Sequence, residues 1–260
     1  MNKMSGNLTI LKLGGSVITD KNADEGVALK EEISRLAKEI SSYKGQMIIV
    51  HGAGSFGHPL AHRYSLVDNF DAEGLVLTHR SVKILNSIVV DALNESGVKS
   101  VGVHSMDCFT TTDGRISSSF LDPIRIMIEK GIVPVLHGDV VMDSTKGVSI
   151  VSGDQVLPYL ALAFGAGRIG LGSAEDGVLD ENGNPIPLIT NDNFDYIKAC
   201  LGGSACTDVT GGMLGKVREL LDMCHGRSMT SYIFNAKVAG NVLNFLNGEE
   251  IGTAISDSLE

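Results

Sequence analysis

A chain of 260 residues, 43% hydrophobic and 20% charged, has apolar mass for one large core, and no linker-like stretch divides it. This excludes overall disorder and predicts a single domain over residues 1–260. The formal charge of −10 argues against nucleic acid or an anionic membrane as partner, because both recruit an excess of Lys and Arg.

Leu8 to Leu13 is a β-type run that ends at Gly14-Gly15-Ser16, with Thr19-Asp20-Lys21 shortly after. Lys12 interrupts this apolar strand, where a charge is expensive unless it is paired or ligand-bound. Residues 29–40 put Leu29, Ile33, Leu36, Ala37 and Ile40 on one helical face and return the chain to the strand Met47–Val50. Strand, helix, strand predicts a right-handed parallel crossover. The second strand runs into His51-Gly52-Ala53-Gly54-Ser55-Phe56-Gly57-His58, whose glycines at 52, 54 and 57 are expected to reach positive φ and turn successive N–H groups toward one anion.

A second amphipathic segment carries Leu75, Val82, Leu85, Ile88, Val89, Ala92 and Leu93 on one stripe. Most of these are core by default, and any that reach the glycine loop, with Leu85 and Ile88 as the residues to test, are expected to wall an apolar substrate tail. Val101–Val103 and Ile132–Leu136 read as strands, Asp113-Gly114 as a turn and Pro123–Lys130 as a helix. Val148–Val151 leads into Ser152-Gly153-Asp154-Gln155, where Ser152 and Gln155 fit a capping box that leaves Gly153 free to approach a phosphate. A glycine-diluted strand at 168–172 precedes Ser173-Ala174-Glu175-Asp176-Gly177. A third glycine loop, 207–216, opens a helix bearing Lys216, and Tyr232–Phe234 and Ile251–Ile255 read as closing strands.

Cys108, Cys200, Cys206 and Cys224 lack C-x-x-C spacing, residues 1–7 lack an apolar signal core, and the longest apolar stretches are too short for a bilayer. A cytoplasmic protein with reduced thiols is expected. Three glycine loops, lysines at 12, 21 and 216 and carboxylates at 154 and 176 are the parts that phosphoryl transfer needs, since that reaction asks for positioning and charge neutralisation. Neither G-x-x-x-x-G-K-[ST] nor a G-x-G-x-x-G opening a βαβ unit is present, so the phosphates must be held in another way.

The motifs Lys12-Leu13-Gly14-Gly15-Ser16, Val50 to His58, Ser152-Gly153-Asp154 and Asp208-Val209-Thr210-Gly211-Gly212-Met213 with Lys216 resemble those of the amino-acid-kinase superfamily over nearly the whole chain. The loop that ends in His58 resembles, more selectively, the archaeal-type isopentenyl phosphate kinase family. The resemblance implies a three-layer αβα sandwich with an open, mainly parallel central sheet. Its N-terminal part would bind the phosphate acceptor, and its part from about 150 to 260 the nucleotide.

The resemblance also implies ATP with Mg²⁺, a homodimer, and phosphorylation of isopentenyl phosphate to isopentenyl diphosphate in isoprenoid biosynthesis. Lys12, Gly14, Gly15 and Ser16 would contact the ATP phosphates, and Lys21 would stabilise transition-state charge. Ala53, His58 and Gly153 would hold the substrate phosphate, with Gly54 between the two phosphates. Asp176, Gly212 and Lys216 would lie on the nucleotide side, and Asp154 would orient Lys12 and Lys216. No residue is assigned as a metal ligand. The chain departs from the family at Ala174, where relatives usually carry Asp. Two alternatives stay open: a related phosphate or phosphonate kinase of the fosfomycin type, and a non-catalytic nucleotide-binding protein of the same fold.

Overall fold

The computed structural model describes residues 8–23, 25–201 and 212–258. In chain order the elements are β1 (Thr9–Leu13), α1 (Gly15–Ile18), α2 (Lys30–Ser42), β2 (Met47–His51), a 3₁₀ turn (Gly54–Phe56), α3 (His58–Arg63), α4 (Ala72–Glu95), β3 (Ser100–Gly102), α5 (Ser105–Cys108), β4 (Phe109–Thr112), β5 (Arg115–Ser119) and α6 (Asp122–Glu129). They continue with β6 (Val133–His137), β7 (Asp139–Asp143), β8 (Gly147–Val151), α7 (Gly153–Phe164), β9 (Arg168–Ser173), β10 (Leu188–Ile189), α8 (Phe194–Leu201), α9 (Gly212–Cys224), β11 (Ser231–Asn235), α10 (Asn241–Leu246) and β12 (Thr253–Ile255). Residues 207–211 of the third glycine loop lie outside the described residues.

Eight strands form one open sheet in the order β10-β12-β11-β9-β1-β2-β6-β3, in which only the β11–β12 pair is antiparallel. β1 lies at the centre, parallel to β2 on one side and β9 on the other, with Lys12 opposite Val50 and Leu171. Alternation along the strands sends Ile10, Ile48, Leu136 and Ile169 to one face, beneath α6, α7 and α9. Leu11, Leu13, Ile49 and Val135 go to the other, beneath α2, α4 and α10. Helices on both faces bury both, which is why the strands read as continuous apolar runs. The three layers and the mainly parallel sheet are those expected.

A second sheet, β5-β4-β7-β8, stands beside the first and was not expected from the sequence. β7 and β8 pair antiparallel from Asp139↔Val151 to Asp143↔Gly147, so β8 carries the chain back to the start of α7. Among the described residues no helix is long and apolar enough to cross a membrane. Cys108 and Cys224 are buried free thiols, and desolvation pushes both up to about 11.

The expected role of the α4 stripe needs correction. Leu85 is 0% exposed and packs with Val82, Val89 and Leu93 into the core shared with α2 and the sheet, and Ile88 leans on the same core. Leu85 and its buried neighbours are therefore a structural face, whereas Leu75 leans on the separate cluster of Ala61, Leu66, Val140 and Val148, and Val82 reaches the glycine loop at Gly57.

Candidate active site

The site gathers at the C-terminal ends of β1 and β2 and the start of α7. Parallel neighbours end on the same edge, so the loops that follow β1 and β2 meet there. They touch backbone to backbone: a side-chain carbon on Gly52 would lie 2.5 Å from the Gly15 nitrogen, and one on Gly15 would lie 2.7 Å from the Gly54 nitrogen. Only glycine permits that approach. Of the three loop glycines only Gly54, at φ +50°, has positive φ; Gly57 has φ −113°. The expectation of positive φ at all three is corrected: Gly52 is needed for space, and at Gly57 a side-chain carbon would strike Ala53 at 2.6 Å.

Thr19 stitches the two loops. Its hydroxyl donates to the Gly15 carbonyl at 2.8 Å and accepts from the Ser55 amide at 3.1 Å. Gly14 donates to the Gly172 carbonyl at 2.8 Å, which ties the first loop to β9. Among the described residues the amides of Ala53 and Gly54 have no protein acceptor, and those of Gly15 and Ser16 stand in the first turn of α1, where helices leave N–H groups free. Together they make a cradle suited to anionic oxygens.

Lys12 fills the floor of this cradle. It is 3% exposed and forms an ion pair with Asp154 of α7, whose side chain is 25% exposed. Burial pushes the Lys12 pKa down, Asp154 opposes that, and Lys216 adds to the lowering. Gly153 lies over Lys12: a side-chain carbon there would be 3.0 Å from Lys12 Cε and 3.2 Å from the His51 carbonyl oxygen. The Ser152 hydroxyl accepts from the Gln155 amide at 3.2 Å and caps the start of α7, but the reciprocal half of the expected capping box is not made: Gln155 Nε2 donates instead to the Gly114 carbonyl at 3.1 Å.

His58 opens α3, followed at once by Pro59, a residue favoured in a first helical turn. It is accessible to water, yet the atoms around the ring are dense enough that desolvation leads in lowering its pKa; Asp154 opposes this, and Lys12 and Lys216 reinforce it. His58, Lys12, Asp154 and Lys216 thus share one electrostatic neighbourhood. Lys216 donates to the Gly212 carbonyl at 2.8 Å, while among the described residues Asp154 pairs with Lys12.

Two expected residues stand apart. Lys21 is exposed in a turn, and no contact among the described residues joins it to Lys12, Asp154 or His58. Asp176 is exposed and accepts from Asn235 Nδ2 at 2.8 Å. Beside Ala174, Ser173 Oγ accepts from the Glu175 amide at 3.1 Å and donates to its carbonyl at 2.9 Å, so a short local turn closes there.

The sequence reading missed Thr19, and it gave no role to His51 or Asn86. A buried polar chain runs behind the phosphate cradle: Asn86, His51, His137 and His104, with His79 donating to Asp139 at 2.9 Å. Burial pushes both His51 and His137 down to about 4. The only signal in the sequence was the repeated His-Gly at 51–52 and 137–138, which the structure places opposite each other on β2 and β6.

Residues 7–235 match the model of the amino acid kinase family. Isopentenyl phosphate kinase of Methanothermobacter thermautotrophicus is 40% identical over 265 residues, covering 96% of this chain and 99% of that enzyme. Isopentenyl phosphate kinase of Haloferax volcanii is 40% identical over 254 residues, covering 96% and 98%. Crystallised isopentenyl phosphate kinase superposes with a TM-score of 0.81 at 36% identity, over 96% of this chain and 100% of that one. With the glycine cradle, buried lysine and loop histidine in one place and the likeness running end to end, the chain belongs to the amino acid kinase family, within its isopentenyl phosphate kinase branch.

Proposed function

We propose that this protein transfers the γ-phosphoryl group of ATP to isopentenyl phosphate, giving isopentenyl diphosphate and ADP. An acceptor phosphate oxygen attacks the γ-phosphorus as the bond to the ADP oxygen breaks. That oxygen is already ionised near neutral pH, so no strong general base is needed. The observation that carries the reading is the convergence of His58 and the Ala53–Gly54 amides with the buried Lys12–Asp154 pair, in a chain whose relatives of this extent are isopentenyl phosphate kinases.

In this reading Ala53, His58 and Gly153 hold the acceptor phosphate, and Gly54 lies between it and the nucleotide. Lys12, Gly14, Gly15 and Ser16 receive the ATP phosphates. Lys12 and Lys216 balance the charge that spreads over the transferred group, and Asp154 keeps Lys12 aligned. Lys21 reaches the transition state from its exposed turn, and Asp176 and Gly212 border the nucleotide. Apart from the phosphate contacts of residues 12–16 and of Gly153, residues up to about 150 serve the acceptor and those beyond it the nucleotide. The glycine cradle and two lysines suit a polyphosphate; Mg²⁺ carried by the ATP phosphates would supply charge neutralisation there.

The protein would work in the cytoplasm as a homodimer. The test is a product assay with ATP and Mg²⁺ against a panel of alkyl phosphates, phosphonates and carboxylates. Isopentenyl phosphate should be the preferred acceptor. Inert isopentenyl phosphate beside an active carboxylate or phosphonate would overturn the assignment.

A further inference from the structure

We propose that His51, fixed as its Nδ1–H tautomer by Asn86, is a positioning residue that aims the Ala53 amide at the acceptor phosphate. This rests on the reading of the 52–58 loop as the acceptor site. The ring is wholly buried at the end of β2. Its Nδ1 lies 3.0 Å from the Gly52 carbonyl oxygen, which can only accept, so Nδ1 carries the proton. Its Nε2 lies 3.1 Å from Asn86 Nδ2. The same Asn86 nitrogen lies 3.1 Å from the Val135 carbonyl oxygen, which identifies it as the amide donor, so Nε2 presents its lone pair. One neighbour that only accepts and one that only donates leave a single state, the neutral Nδ1–H ring.

The consequence lies in the next peptide. A trans peptide is planar, and its C=O and N–H point in opposite directions. The Gly52 carbonyl, held inward by His51, belongs to the same plane as the Ala53 N–H, so that N–H is turned away from the core. It has no acceptor among the described residues, as a group reserved for a ligand should. Two further bonds hold the frame: Gly52 donates to the Leu13 carbonyl at 2.9 Å, and Gly138 donates to the His51 carbonyl at 2.9 Å. β6 uses the same device, with His137 Nδ1 3.0 Å from the Gly138 carbonyl oxygen and its Nε2 facing His104 at 2.9 Å, but there the chain turns into β7.

Two substitutions separate the role from simple loss of packing. In His51→Asn the amide nitrogen falls where Nδ1 stood, so the bond to Gly52 can be kept. In His51→Gln the amide falls near the former Nε2, and the Gly52 carbonyl loses its donor. His51→Gln should raise the acceptor KM on the order of tenfold with the ATP KM within about twofold, while His51→Asn should stay within about threefold of wild type on both, as expected for one hydrogen bond. Equal impairment by the two, or an ATP KM that moves in step with the acceptor KM, would overturn the proposal.

Nitrogen-15 spectra of the wild-type imidazoles give a second readout that needs no variant to fold and no substrate. They should show His51 as a neutral Nδ1–H ring, and an Nε2–H ring or an imidazolium at pH 7 would overturn it. Because this readout is independent of the acceptor, an error in naming isopentenyl phosphate would appear in the product assay and leave the tautomer result standing.

Discussion

His58 is the side chain that the functional reading loads most heavily, and its state depends on what occupies the cleft. Desolvation and two nearby lysines favour the neutral ring, whereas an arriving phosphate favours the imidazolium. His58→Ala should lower kcat/KM about 10- to 150-fold with ATP saturating, the range of a hydrogen bond to a charged group, and His58→Gln should lose less. A fully active His58→Ala enzyme with an unchanged circular dichroism spectrum would remove the residue from the site. Asp154→Asn tests the buried pair. With its negative partner gone, Lys12 keeps the desolvation that lowers its pKa and loses what raises it. Its ammonium should deprotonate at lower pH, so the alkaline limb of the kcat/KM profile should move toward neutrality, with a loss of at least about tenfold at pH 8. A profile that kept its wild-type limb would show that Lys12 does not need Asp154.

Among the elements, α4 is where pattern and position part company. The periodic stripe identified the helix correctly, but helical periodicity reports only which face is apolar, and the apolar face here is pressed against β-sheet and α2. Leu85→Ala should therefore act on stability, by about 2–5 kcal/mol, and leave the preference for acceptor tail length unchanged. Thermal melts beside a series of alkyl phosphates decide it: a changed tail preference with no fall in Tm would return Leu85 to the pocket wall. The polar side of the same helix is closer to the chemistry, through Asn86 on His51 and His79 on Asp139.

For the whole molecule, the buried histidines predict acid sensitivity. His51 and His137 hold pKa values of about 4 when folded against about 6.5 as free side chains, and His58 and His104 are lowered too. Between those values the unfolded chain binds more protons than the folded one. The contribution is thus fully present above about 6.5 and drains away as pH falls toward 4. One such imidazole acting alone is worth about 3 kcal/mol over that span, a sizeable part of a typical net stability. Tm should fall by roughly 5–10 °C from pH 7 to pH 5, above the range where most carboxylates titrate. A Tm that held constant or rose over that window would contradict the buried neutral rings.

By itself the sequence determined the strand-to-glycine junctions after β1 and β2, the capped start of α7 and the anomaly of a lysine in an apolar strand. All of these are local, since residue type, spacing and backbone freedom act over a few positions. It also carried the motifs that led to the family. Only the tertiary structure decided that Lys12 is answered by Asp154, 142 residues away, because the sheet order inserts β1 between β2 and β9. Register brought His51 beside His137, and close backbone approach made glycine necessary at 15 and 52. The face of α4 that meets the core, the stitch made by Thr19 and the tautomer of His51 likewise follow from what packs against each group. No local pattern encodes that, because a side chain's partners are chosen by the fold that surrounds it.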